Sequence, residues 1–177
     1  MVKIENYPAI KKHLDIYWKE IIKRSDKGNT PYNLRNCAYM EDFYKQKIVW
    51  IELTDNPNFY LDENNFLLNN TIFFINGNRL EYLVAFLNSK VCKWFFTKMA
   101  ATSGVGTTRW IKIYIEKILV PEFINTEFEI SLISYVKEIQ CKKALGLETI
   151  ELENKIDNII FALFNFTTEE INFMSIQ

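Results

Sequence analysis

Residues 80–121 read LEYLVAFLNSKVCKWFFTKMAATSGVGTTRWIKIYIEKILVP, and the fold turns on this stretch. Leu80, Leu83, Val84, Leu87, Val91, Trp94 and Phe95 recur at helical spacing, which predicts a long apolar helix over residues 79–98. The Gly/Ser/Thr run that follows predicts a loop, closed by Arg109-Trp110. The alternation in RWIKIYIEKILV predicts one or two strands, ended by Pro121. The helix reads as a core element. The loop gathers hydrogen-bonding groups with cations beside them, a device for touching a polyanion rather than a catalytic centre.

Upstream, Tyr7, Ile10, Leu14, Tyr17 and Ile21 follow a helical period, so residues 6–24 are expected to be one amphipathic helix with Pro8 in its first turn. SDKGNT, residues 25–30, is a loop, and YNLRNCAYMEDFYKQ reads as a loop with a short helix. KIVWIEL, FYLD and TIFFI are β-branched and aromatic enough to be strands, separated by turns at DNPN and DENN and followed by NGN. Downstream, residues 127–145 and 147–164 read as helices with Gly146 between them. Thr167-Thr168-Glu169-Glu170 has the form of a cap before a last short helix. The expected class is α+β: a body over 1–122, with a small mixed sheet and packed helices, then a helical hairpin tail over 123–177.

Of the 177 residues, 49% are apolar and 15% aromatic, so the chain can bury a core and is not a disordered tail. No apolar run approaches the ~20 residues of a membrane span, and MVKIENYPAI lacks the basic and apolar segments of a signal peptide. Cys37, Cys92 and Cys141 fit no zinc or redox spacing and read as reduced thiols in a cytoplasmic protein. Charge is unevenly spread. Residues 1–120 carry seventeen Lys and Arg against twelve Asp and Glu, whereas residues 121–177 carry four against ten. A basic body with an acidic tail suggests that the body meets an anion, with ordinary surface scatter as the plain alternative.

Several chemistries find no support. SGVGTTR has glycines but no Gly-Lys-Ser/Thr ending, and no dinucleotide fingerprint follows a strand. His13 is the lone histidine, so an ordinary Ser-His-Asp triad cannot be assembled. The carboxylates Glu52, Asp55, Asp62 and Glu63 sit among turn residues without a nuclease pattern. No metal or catalytic residue is assigned.

Three polar segments carry potential for recognition. The first runs from Arg24 to Asn36 and includes Lys27, Tyr32, Asn33 and Arg35. Its cations suit phosphates or guanine, and Asn33 and Asn36 suit adenine. The second, Glu52 to Asn58, leaves a strand; a carboxylate there can accept from a cytosine amino group or be simply solvated. The third, Thr102 to Lys112, contains Ser103, Thr107, Thr108 and Arg109, where small residues let backbone N–H groups approach a phosphate. Each segment alone also reads as a solvated loop. Trp50, Trp94 and Trp110 fit a core at least as well as base-stacking platforms.

In order and spacing, TPYNLRNCAY, KIVW, LNSK and GTTRWIKIYIEKILVP resemble the C-terminal target-recognition domain of TaqI-like adenine-specific DNA methyltransferases. The likeness extends to the fused type IIG restriction–methylation enzymes and to PglX-type methyltransferases of phage defence. IENYPAIKKHLDIYWKEIIKR resembles the helix leading into that domain, and ELENKIDNIIFALFNFTTEEI its closing hairpin. The resemblance implies a module that contacts the major groove of double-stranded DNA and selects the sequence to be modified. It also implies a helical tail that packs on, or spaces against, the rest of the enzyme, a methyltransferase or nuclease domain or subunit. The specificity subunits of type I restriction systems share a similar plan, and a protein-interaction module without a DNA role is the rival class. The family's catalytic signature, Asn/Asp-Pro-Pro-Tyr/Phe, is absent, since Pro8, Pro31, Pro57 and Pro121 are isolated. The chain therefore reads as a recognition module without its engine: a separately encoded piece, a truncated gene or an excised fragment. S-adenosylmethionine and Mg2+ are expected only in the parent enzyme.

Overall fold

KIVWI forms the central strand of the sheet, β1 (Lys47–Ile51), because its β-branched and aromatic side chains suit a pleated surface with one face, that of Ile48 and Trp50, buried in the core. In this computed structural model, residues 3–35, 37–101, 107–122 and 126–175 are described. β1 pairs antiparallel with β2 (Tyr60–Asp62) and β3 (Ile72–Ile75), in the order β2-β1-β3. Ile48 faces Leu61 on one side and Ile75 on the other, and Trp50 faces Phe73. At the start of β1 the Lys47 ammonium and the Asp62 carboxylate meet at 2.5 Å with both side chains fully buried. Lys47 also donates to the Phe43 carbonyl. Asp62 accepts the backbone N–H groups of Asn64 and Phe66, which closes the expected DENN turn.

The chain divides into two compact units, Met1–Met40 and Glu41–Gln177. In the first, a 3-10 turn at Ile4–Asn6 leads to α1 (Pro8–Asp15), with Pro8 at its first position. The single helix expected over 6–24 is not formed. Ile16 and Tyr17 bond back to the carbonyls of His13 and Leu14, and α2 spans only Trp18–Ile21. Bulky Ile16, Tyr17 and Trp18 in succession are weak helix formers. Packing does not compensate, since Ile21 is the unit's one buried apolar residue among those described. Beyond α2, Lys27 and Leu34 form an isolated antiparallel bridge, and Gly28 donates to the Asn33 carbonyl. A Cβ on Gly28 would stand 2.5 Å from the Leu34 carbonyl oxygen, which explains the glycine.

In the second unit, residues 79–98 form two helices rather than one. α3 (Leu80–Leu87) is buried nearly all round, including Tyr82, Ala85 and Phe86, so its surroundings exceed the expected stripe. It stops at Asn88, whose side chain bonds both the N–H and the carbonyl of Phe59. Ser89 then caps α4 (Lys90–Met99) by accepting the Cys92 N–H. The strands expected in RWIKIYIEKILV are also absent: Lys112–Ile115 makes one helical turn, α5. Trp110 is drawn beneath β1, 1% exposed, and β pairing is confined to isolated bridges at Thr108 and Arg109, the latter with Leu53.

α6 (Thr126–Ala144), α7 (Ile150–Leu163) and α8 (Thr168–Ser175) follow the sequence reading closely. Gly146 takes a left-handed φ of +69° after α6. Thr167 and Glu170 exchange side-chain and backbone hydrogen bonds as a capping box at α8. These helices complete the core around α3, contributing Leu132, Val136, Ile156 and Ile160. Gln140 donates to the Leu61 carbonyl, and Arg79 pairs with Glu129. The class is α+β. No described helix is long and apolar enough to cross a membrane.

Candidate nucleic-acid interface

Two polar segments, far apart in sequence, lie side by side at the exit of β1. Thr108–Trp110 runs along Glu52–Thr54, with Trp110 donating its backbone N–H to the Glu52 carbonyl at 2.8 Å and Thr54 donating to Thr108. The Trp110 ring stacks on Phe96 at 3.8 Å and 3°, and its indole N–H donates to the Thr54 carbonyl. The Trp50 indole N–H donates to the Trp110 carbonyl at 2.7 Å. Trp50 and Trp110 are thus the frame of this edge and are not stacking platforms. Above them, the Arg109 guanidinium meets the Glu52 carboxylate at 2.5 Å, with the two side chains 47% and 30% exposed.

Other expected site residues fall around this edge. Lys112 is exposed at the start of α5 and pairs with Glu116 one turn on. Thr108 is buried, and Thr107 is half-buried. Ser103 lies outside the described residues. Lys93 of α4 reaches Asn56 of the turn after β1, a link that no local pattern of residues foreshadows. The link borders a cleft of about 670 Å³ between residues 56–60, α3, α4, α6 and α7. Lysines on its rim are largely matched there: Lys90 by Asp157 and Asn154, Lys143 by Glu153. Burial pushes the Asp157 carboxyl above its ordinary range, against the hydrogen bonds from Lys90 that lower it.

The first unit holds the remaining candidates. Arg24 donates to the carbonyls of Asp26 and Asn33, and Lys27 to that of Ile22, so both brace the loop. Asn33 accepts from the Thr30 hydroxyl. Tyr32 donates to Asp15 at 2.6 Å and packs against Trp18. That hydrogen bond, with the Lys11 ammonium, holds Asp15 below the usual carboxylate range. Arg35 is the open cation of the group, 80% exposed and 4.0 Å from Asp26. Asn36 lies outside the described residues. The unit carries eight Lys and Arg against four Asp and Glu, so it holds nearly all the positive excess of residues 1–120.

Cys37, Cys92 and Cys141 are free thiols, and burial pushes Cys92 up to about 12. Among the described residues no group of three His, Cys, Asp or Glu could hold a metal ion.

A small sheet and packed helices carry the polar edge of Glu52–Thr54 and Thr108–Trp110. The chain belongs to the family of TaqI-like C-terminal specificity domains, whose model matches residues 5–120. Its role is target recognition in a restriction–modification context. No curated protein matches the chain.

Proposed function

We propose that this chain binds double-stranded DNA and selects the sequence on which a restriction–modification enzyme acts, without catalysing a reaction itself. Methyl transfer to adenine, and any cleavage, belong to a methyltransferase or nuclease domain or subunit, which holds S-adenosylmethionine and Mg2+. Phage defence is the setting that fits such an enzyme, and the cytoplasm its place. The observation that carries the reading is the paired edge of Glu52–Thr54 and Thr108–Trp110. It supports base contacts because an exposed Arg109 and a half-buried Glu52 stand there on a buried aromatic frame. The contact residues we assign are Arg35, Glu52, Arg109 and Lys112, with Arg24, Lys27, Tyr32 and Asn33 shaping the loop that carries Arg35.

A protein contact accompanies this role. The first unit exposes Tyr7, Ile10, Ile16 and Tyr17 and buries only Ile21 among its described apolar residues. Such a surface supports packing on the methyltransferase polypeptide.

Selection of the chain's ligands from a pool of random duplexes, followed by sequencing, tests the reading. Enrichment of one short motif is the expected result. A pool unchanged after selection at low salt contradicts it and favours a module that binds protein alone.

A further inference from the structure

We infer that Glu52 and Arg109 together read a single G·C base pair in the major groove. The inference rests on the DNA-recognition reading above and adds the chemistry of one position in the target. Across the groove a G·C pair presents N7 and O6 of guanine as acceptors, then the N4 amino group of cytosine as donor. The complementary surface is two donors beside one acceptor. Arginine has five N–H donors in a planar fork, and a carboxylate accepts through two oxygens. Arg109 uses Nη2 on Glu52 Oε1 and keeps the rest of its fork, while Glu52 keeps Oε2. The ion pair therefore displays donors and an acceptor next to each other. An A·T pair, with acceptor, donor and acceptor in turn, would set the thymine O4 against the carboxylate.

The backbone keeps the two side chains in step. Arg109 is bridged to Leu53, and Trp110 is bonded to Glu52, so neither residue shifts without the other. Trp110 is locked below by Phe96, Thr54 and the Trp50 indole. An exposed ion pair contributes little to stability, so this much support under one is better explained by positioning. The pair carries no net charge. It contributes pattern rather than attraction to phosphate, and this separates it from the cations around it.

The test repeats the random-duplex selection with the full chain and with Glu52→Gln and Arg109→Lys. The wild type is expected to enrich a motif with one fixed G·C pair. Glu52→Gln removes a negative charge, so its affinity for bulk DNA should stay level or rise while preference at that pair falls about tenfold or more. Arg109→Lys keeps the charge but loses the fork, and should relax the same position. Replacing the guanine there by 7-deazaguanine, which lacks N7, should weaken wild-type binding by about tenfold. Unchanged tryptophan fluorescence checks that the variants keep the Trp50–Trp110 frame. Binding without a motif, a motif without a fixed G·C pair, or a fixed pair that both variants leave unchanged would overturn the inference alone. No DNA binding by wild type and variants alike would overturn the proposed function and this inference with it.

Discussion

Lys47 and Asp62 show how a residue can matter to a fold without touching its function. Both are charged, both are fully buried, and each satisfies further backbone groups at the corner between β1 and the turn after β2. Removing one partner leaves a buried charge uncompensated, so Asp62→Ala should lower unfolding free energy by about 3–5 kcal/mol in urea titrations. The double variant Lys47→Met/Asp62→Leu should cost clearly less than Asp62→Ala, because no charge is then stranded. Asp157 behaves differently. Its folded pKa lies above its unfolded value, so its protonated form favours the folded state. Relative to Asp157→Asn, the wild type should gain stability as pH falls through the carboxylate range and lose that gain as pH rises through the folded pKa. Denaturant midpoints of the two proteins at several pH values check the sign. Neither role was legible in the sequence, where Asp62 looked like a turn residue and nothing singled out Asp157. Their burial depends on which elements pack over them.

At the scale of elements, local chemistry was read well and long-range packing poorly. β1, β2, β3, α6, α7 and α8 formed close to where period and turn residues put them. The break at Asn88-Ser89 falls inside the single helix expected over residues 79–98. Its meaning came from Phe59, whose backbone Asn88 clasps. Ser89 is buried and caps α4, so Ser89→Ala should cost about 1 kcal/mol in thermal or urea unfolding. Gly146 should cost a comparable amount as alanine. The cost there is conformational, since φ is +69° and a Cβ would meet nothing within 4 Å. RWIKIYIEKILV misled because its alternation is real while its pairing partner ends after Arg109. A buried Trp110 anchors the segment better than a strand without neighbours would. The candidate edge shared this fate. Its two halves were each visible as polar segments, but the Glu52–Arg109 pairing required the Leu53–Arg109 bridge, which joins residues 56 positions apart.

Across the chain, the excess of cations belongs to the first unit and the large buried core to the second. Residues 1–40 carry eight cations against four carboxylates, and residues 41–177 carry thirteen against eighteen. The positive excess expected over residues 1–120 thus lies almost wholly before the division of the fold at Met40. Arg35→Ala in the first unit and Arg109→Ala in the second should both lower DNA affinity. They should do so differently: Arg35→Ala uniformly across sequences, and Arg109→Ala mostly on the selected motif. Competition binding with motif and random duplexes distinguishes the two patterns.

If this chain grips DNA through its cations, as proposed, its equilibrium binding must depend steeply on salt. Neutralising phosphates releases counterions, so the logarithm of the binding constant should fall linearly with the logarithm of salt, by roughly 0.9 for each phosphate engaged. We predict a steep negative slope for the full chain on duplex DNA, reduced by roughly one in Arg35→Ala. A flat slope, or no binding at low salt, would show that the chain does not hold DNA through its cations.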